Sequence, residues 1–375
     1  QFKGTWELLR NGEPVQSGAM PALSLAAEQK SVVSLPVGSM DVGAEYALTL
    51  RYTLANPTLW AEAGHEVASE QLMLQSASFK PQVVQGGAIQ MQETAQQLDI
   101  AASDFSVSFD KSTGIIRSIK KGGKECLSGA GDIKGPALNV YRSPVCNDLR
   151  FQWVKANLNA PQITTTLFDA KQTSSTEVLV RVQQKHQFKD GSIDYQAEYK
   201  ITDGAIQIQN KVVPTGFTNL MTLPRVGLKL ALAGDMEQVN WYGRGPHENY
   251  PDRKASAYIA QYQSTVTDLF TPYLVPQENG ARCDVRWVNL SAKDKGGPEI
   301  QVESSTPFVF SALHVDSANL DAAIRNFFVQ KLSDTILCID HQMSGLGNAS
   351  CGPFTLEKYR IKVKPYEFDF TIRVR

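Results

Sequence analysis

The stretch Trp241-Tyr242-Gly243-Arg244-Gly245-Pro246-His247-Glu248-Asn249-Tyr250-Pro251-Asp252-Arg253-Lys254 is the densest run of polar and aromatic side chains in the chain. Aromatic rings stack on pyranose faces while Arg, His, Glu and Asn meet hydroxyls, so this composition suits a sugar site. It equally suits a structural loop whose polar groups satisfy one another and the buried backbone. Thr271-Pro272-Tyr273 and Pro276-Gln277-Glu278-Asn279-Gly280-Ala281-Arg282 pose the same choice. There Glu278 and Arg282 either meet a ligand or lock the turn that Asn279-Gly280 encodes. A third stretch, Asp340-His341-Gln342-Met343-Ser344-Gly345-Leu346-Gly347-Asn348-Ala349-Ser350-Cys351-Gly352-Pro353, is glycine-rich and irregular, which lets backbone approach a ligand closely. His341 is the titratable candidate in it, although a lone histidine is more often a hydrogen-bonded structural residue.

None of these stretches makes a self-contained catalyst. The chain has no G-x-S-x-G elbow, Walker loop, H-E-x-x-H or dinucleotide fingerprint. Sugar hydrolysis needs two carboxyl groups flanking one bond, and spacing singles out no pair among 38 acidic residues. The five cysteines, at 126, 146, 283, 338 and 351, form no C-x-x-C pair, and with the five histidines they show no metal-ligand spacing. They are expected to be buried free thiols. With 37 basic and 38 acidic residues, no broad field is available to attract nucleic acid or an anionic membrane. No apolar stretch reaches the roughly 18 residues of a membrane helix. The polar opening Gln1-Phe2-Lys3-Gly4-Thr5-Trp6 is not a signal peptide and suits a fragment of a longer protein, so the compartment stays open.

The elements that must position these loops are strands. Tyr46, Leu48, Leu50, Tyr52 and Leu54 alternate with Ala47, Thr49, Arg51 and Thr53, and Ile193, Tyr195, Ala197, Tyr199 and Ile201 alternate with polar neighbours. A period of two places one face on a core and the other in water, as in antiparallel sheets. Asp203-Gly204 then separates that run from Ile206 and Ile208, a strong hairpin signal. Phe368, Phe370, Ile372 and Val374 predict a closing strand. One helix is predicted from a cap at Asp316 or Ser317 to Asn326, with Leu320, Ala323, Ile324 and Phe327 on one face. Glu62 to Leu74 has helix-forming composition but contains Gly64 and follows a strand-like run, so its type stays open. Residues 76–97, rich in Gln, Ser, Gly and Ala, read as a linker between a small β-domain (1–75) and a large one (98–375).

In this order the three loops resemble the fifth domain of the family 2 β-galactosidases. Phe105 to Ile116 resembles the start of that domain, Asn56 to Val67 the end of the fourth, linking domain, and Arg142-Ser143-Pro144-Val145-Cys146-Asn147-Asp148 a loop the family places near its active site. The resemblance implies an all-β chain, a small immunoglobulin-like sandwich followed by a large galactose-mutarotase-like β-supersandwich. It also implies that the catalytic glutamates and metal ligands lie upstream in an eightfold barrel, which needs about 250 residues that this chain lacks. No catalytic or metal-binding residue is therefore assigned here, and Mg and Na are expected of the full-length enzyme only. The expected function is an accessory part of a β-galactosidase, inactive alone, with the upstream catalytic domain, the galactoside and further copies of the full-length chain as partners.

Substrate contacts are expected at Cys351, Asn147, Asp148 and His341. Cys351 aligns with a pocket-lining position that is often Trp in the family, so an indole stacking surface is missing. A free-standing carbohydrate-binding module and an aldose 1-epimerase are the alternatives. The latter needs a Glu base and a His acid, types supplied by Glu248, Glu278, His247, His314 and His341.

Overall fold

The structure, a computed structural model, describes residues 1–79, 86–128, 134–293 and 296–375, without the side chains of residues 149 and 150. It divides into two compact units, residues 1–78 with 258–261, and residues 79–257 with 262–375.

The first unit is an antiparallel sheet ordered β2-β1-β3-β4, built from β1 (Phe2–Arg10), β2 (Glu13–Ala19), β3 (Tyr46–Leu54) and β4 (Glu66–Gln75). β4 resolves the open reading of Glu62 to Leu74 in favour of a strand. Trp6, Leu8, Tyr46 and Leu48 form the core, and Met20, Leu35 and Val37 from the irregular segment after β2 cover it. Ile259 joins the unit through the Gln71 amide, which donates to its carbonyl at 3.0 Å and accepts from its N–H at 2.7 Å.

The second unit is also all-β. A five-stranded meander runs in order through β5 (Gln90–Glu93), β6 (Gln97–Ala101), β7 (Phe105–Asp110), β8 (Ile115–Lys121) and β9 (Lys124–Glu125). Part of the stretch read as a linker is thus strand, because Met91 pairs with Ile100 across the first hairpin; residues 80–85 of that stretch lie outside the described residues. The large sheet contains β10 (Ala137–Asn139), β11 (Gln162–Ser174), β12 (Glu177–Phe188), β13 (Gly191–Thr202), β14 (Ala205–Thr215), β15 (Arg225–Leu232), β16 (Gln238–Gly245), β17 (Tyr258–Thr265), β18 (Arg282–Ser291), β19 (Glu299–Leu313), β20 (Thr335–Met343) and β21 (Tyr366–Val374). Its main path is β10-β15-β20-β19-β21-β14-β13-β12-β11, and β18 pairs with both β16 and β19.

The expected alternation holds in β13, where Ile193, Tyr195, Ala197, Tyr199 and Ile201 are all buried. The hairpin closes where the sequence places it, with Thr202 opposite Ala205 and Gly204 at φ +74°. The inner faces of the two sheets meet in one core; Phe109 of the meander lies 5.2 Å from Tyr199 of the large sheet, edge to face. Burial of such side chains contributes about 1.5–3 kcal/mol each. In β21 the polar face is buried as well, at Thr371 and Arg373, so this strand is central rather than half-solvated.

The helix is shorter than expected. A four-residue helix, α1 (Val266–Leu269), precedes it, and α2 spans only Ser317–Ala322, capped by Asp316. The backbone turns extended at Ala323 (ψ 121°), so Leu320 is buried while Ile324 and Phe327 face outward.

Candidate functional site

The three loops and the Arg142–Asp148 segment converge on one end of the second unit, and buried charge holds them there. Arg142 is wholly buried, and its Nη2 donates to both oxygens of Asp148 at 2.9 Å. The same guanidinium donates to the carbonyls of Ser344 (2.5 Å) and Gly345 (3.1 Å), and it lies over the Trp153 ring. One planar cation thus fastens the 142–148 segment to the base of the 344–353 loop. Burial pushes the Asp148 carboxyl up, and Arg142 opposes that shift.

A second fastening comes from the Trp241–Lys254 stretch. Asp252 accepts from the backbone N–H groups of Leu346 (2.9 Å) and Gly347 (2.7 Å). Two glycines make that approach possible. A Cβ on Gly345 would lie 2.7 Å from the Asp252 carboxyl carbon, and Gly347 has φ +64° with Thr355 against it. Glu248 is tied down too, accepting from Arg253 Nη2 at 2.5 Å, from Gly280 N at 2.8 Å and from the Tyr273 hydroxyl. Asn249 accepts from Cys283 N at 2.8 Å. The polar density legible in the sequence therefore mostly satisfies itself, as buried polar groups must.

What this framework leaves open is a cleft of about 550 Å³, bounded among others by Asn147, Asp252, Arg253, Asn348, Phe354 and Tyr359. That volume is typical of small-molecule sites. Asn147 is one of its polar lining groups, with Asp252 and Arg253. Its amide donates to Gly347 O at 2.6 Å and accepts from Ser350 N at 2.9 Å, which holds the loop tip. Cys351 is exposed on that tip; it falls in sequence between Asn348 and Pro353, which line the cleft, but does not itself line it. Asp148 is buried against Arg142 and does not line the cleft, and neither does His341. His341 belongs to β20 and stacks on Phe368 at 5.2 Å, where burial holds its pKa below the usual value.

Sequence reasoning assigned no role to Arg142 or Asp252, although both stand inside the quoted motifs. Arg142 has a near partner in Asp148, but the backbone groups that Arg142 and Asp252 hold at residues 344–347 lie far along the chain, and no local spacing signals that.

Beneath the loops lies a second buried charge cluster. Arg225 sits 2.7 Å from Glu278 and 3.5 Å from Asp340. Burial, set against Arg225 and helped by Glu278, pushes the Asp340 carboxyl up to about 7. The epimerase candidates are dispersed by comparison. His314 bonds Glu237 at 2.8 Å, His247 bonds Ser256 at 3.0 Å, Glu278 is spent on Arg225, and none of the five lines the cleft. Another hollow, about 430 Å³ on the outer face of β12–β14, is floored by paired charges such as Arg181–Glu198 at 2.8 Å. Those exposed pairs leave no group poised for chemistry.

The cysteines split into two classes. Cys126, Cys283 and Cys338 are buried as expected, but Cys146 and Cys351 are exposed because both stand on the cleft loops. Burial pushes Cys126 up to about 12 and Cys338 up to about 11, and it raises Cys283 further. Iodoacetamide at pH 8 is therefore expected to alkylate Cys146 and Cys351 within minutes and to reach the other three only in denaturant. Peptide mass mapping reads this directly; rapid native labelling of Cys338 would contradict the packing of β20.

An all-β chain with a loop-built cleft at the end of a large curled sheet is the class that the geometry defines. Residues 101–372 match the family model described as the β-galactosidase small chain, and residues 1–75 match that of β-galactosidase domain 4. This chain belongs to the β-galactosidase small-chain family and corresponds to the C-terminal portion of such a protein. It is similar to a β-galactosidase of Psychromonas ingrahamii, with 31% identity over 75% of this chain and 28% of the relative. To a β-galactosidase of Vibrio cholerae it is 29% identical over 98% of this chain and 36% of the relative. The chain therefore spans about a third of the length of these relatives. Among solved structures it is similar to a galactose mutarotase-like protein from Lactobacillus casei, at 11% identity and a TM-score of 0.44, covering 74% of this chain and all of the other.

Proposed function

We propose that this chain forms one wall of the active site of a β-galactosidase that removes terminal β-D-galactosyl residues, and that it hydrolyses nothing alone. The observation that carries the reading is the cleft itself. Asn147 and the loop tip that carries Cys351 are held there by a framework whose carboxylates, Asp148, Glu248 and Asp252, are engaged with neighbouring Arg side chains and backbone N–H groups. A surface of this kind positions a ligand while another body supplies the reacting groups. Asn147 contributes an amide at the sugar, and Cys351, standing where the family often has Trp, presents no indole at the loop tip, so Phe354 and Tyr359 are the aromatic rings at the cleft. Among the described residues no group of three or more His, Cys, Asp or Glu side chains is arranged to hold a metal. By family resemblance alone, the Mg and Na expected of the full-length enzyme belong to its upstream barrel. In the full-length protein, copies of the chain associate as a homo-oligomer.

The purified chain is expected to release no o-nitrophenol from o-nitrophenyl β-D-galactoside above the buffer rate; turnover would overturn the reading. In the full-length enzyme, Asn147→Ala is expected to lower kcat/KM by roughly tenfold, the scale of one lost hydrogen bond plus a loosened loop. Unchanged kinetics would remove Asn147 from the wall.

A further inference from the structure

Beside the cleft loops lies an apolar face that the fold exposes instead of burying. Leu274 and Val275 are 72% and 48% exposed, and Ile324, Phe327 and Phe328 are 70%, 77% and 50% exposed. The two segments meet where Asn326 N donates to Leu274 O at 3.2 Å, and within the second the Phe327 and Phe328 rings are 4.4 Å apart. The early stop of α2 creates it. Had the helix continued, Ile324 and Phe327 would share the face of buried Leu320. The extended backbone at Ala323 turns them outward. Contiguous exposed apolar surface of this kind marks an interaction site.

Two ties join this face to the cleft. Asp321 of α2 accepts from Tyr141 Oη at 2.8 Å and from Ser143 Oγ at 2.6 Å, and residues 141–143 lead directly to Asn147. Tyr273, next to Leu274, donates to Glu248, which also holds the cleft-lining Arg253. Whatever covers the face therefore stands at the edge of the cleft.

We propose that this face docks the remaining polypeptide of the same β-galactosidase. Relatives carry a large body of chain beyond the 28% and 36% of their lengths matched here, and a body that completes the cleft must pack against its rim. Exposed Arg325 and Lys331 border the apolar centre, so the complementary surface is apolar with carboxylates at its edge. The inference rests on the reading of the cleft as an active-site wall.

Amide hydrogen exchange on peptides covering 323–331 tests it, measured on this chain and on the full-length enzyme. Exchange is expected to be at least tenfold slower in the full-length enzyme only. Leu274→Ser with Phe327→Ser in the full-length enzyme is expected to abolish that protection and most hydrolysis. The same pair in this chain should leave its melting temperature unchanged, because the side chains are exposed. Equal exchange in both proteins would overturn the proposal. So would protection that grows with concentration in this chain alone, which would make the occupant a second copy. If Asn147→Ala leaves kinetics unchanged while 323–331 is protected, the wall reading fails and docking stands; the reverse pattern sinks docking alone.

Discussion

Replacing Arg142 by methionine is expected to destabilise the second unit by about 3–5 kcal/mol, the cost of leaving one member of a buried pair unpaired. Asp148 would lose both 2.9 Å contacts in a wholly buried position, and the carbonyls of Ser344 and Gly345 would lose their donor. The methionine stem packs against Trp153 but supplies no hydrogen. Urea unfolding followed by tryptophan fluorescence measures the change. The double replacement Arg142→Met with Asp148→Leu is expected to recover much of the loss, since removing both charges removes the unpaired one. A single replacement costing under about 1 kcal/mol would mean that water reaches Asp148 and that the loops are not fastened there.

Asp340 sets the second large effect, on the pH dependence of stability. Its carboxyl titrates near 7 in the folded chain against an ordinary value of 3.8, because burial disfavours the anion more than Arg225 stabilises it. Between those values the folded state holds a proton that the unfolded state has released, so stability falls as pH rises and levels off above about 7. The contribution lost between pH 5 and pH 8 is about 2–3 kcal/mol. Asp340→Asn removes the titration. The stability difference between variant and wild type should therefore shift in favour of the variant by that amount over the same range. Denaturant titrations at several pH values check it, and a pH-independent difference would show that Asp340 is ionised throughout.

The strands were readable because their signal is local. The alternation in β13, the Asp203-Gly204 hairpin and the closing strand each depend on neighbours a few positions apart. The length of α2 was not readable, since Ile324 and Phe327 continue the helical period and only the extended turn at Ala323 breaks it. Asn147 and Cys351 came from resemblance, and the structure brings their loops together through Asn147 and Ser350. Arg142 and Asp252 hold backbone groups in a loop far along the chain, and a single sequence carries no pairing signal across that distance.

The last loop is fastened in a way that tolerates replacement at its tip. Its base is gripped at residues 344–347 by side chains that belong to other loops, and its tip at 348–353 is gripped mainly through backbone. Backbone contacts do not depend on which side chain is present. A point replacement at Cys351, whose side chain is exposed, is therefore expected to leave the mount of the loop in place at little cost to folding.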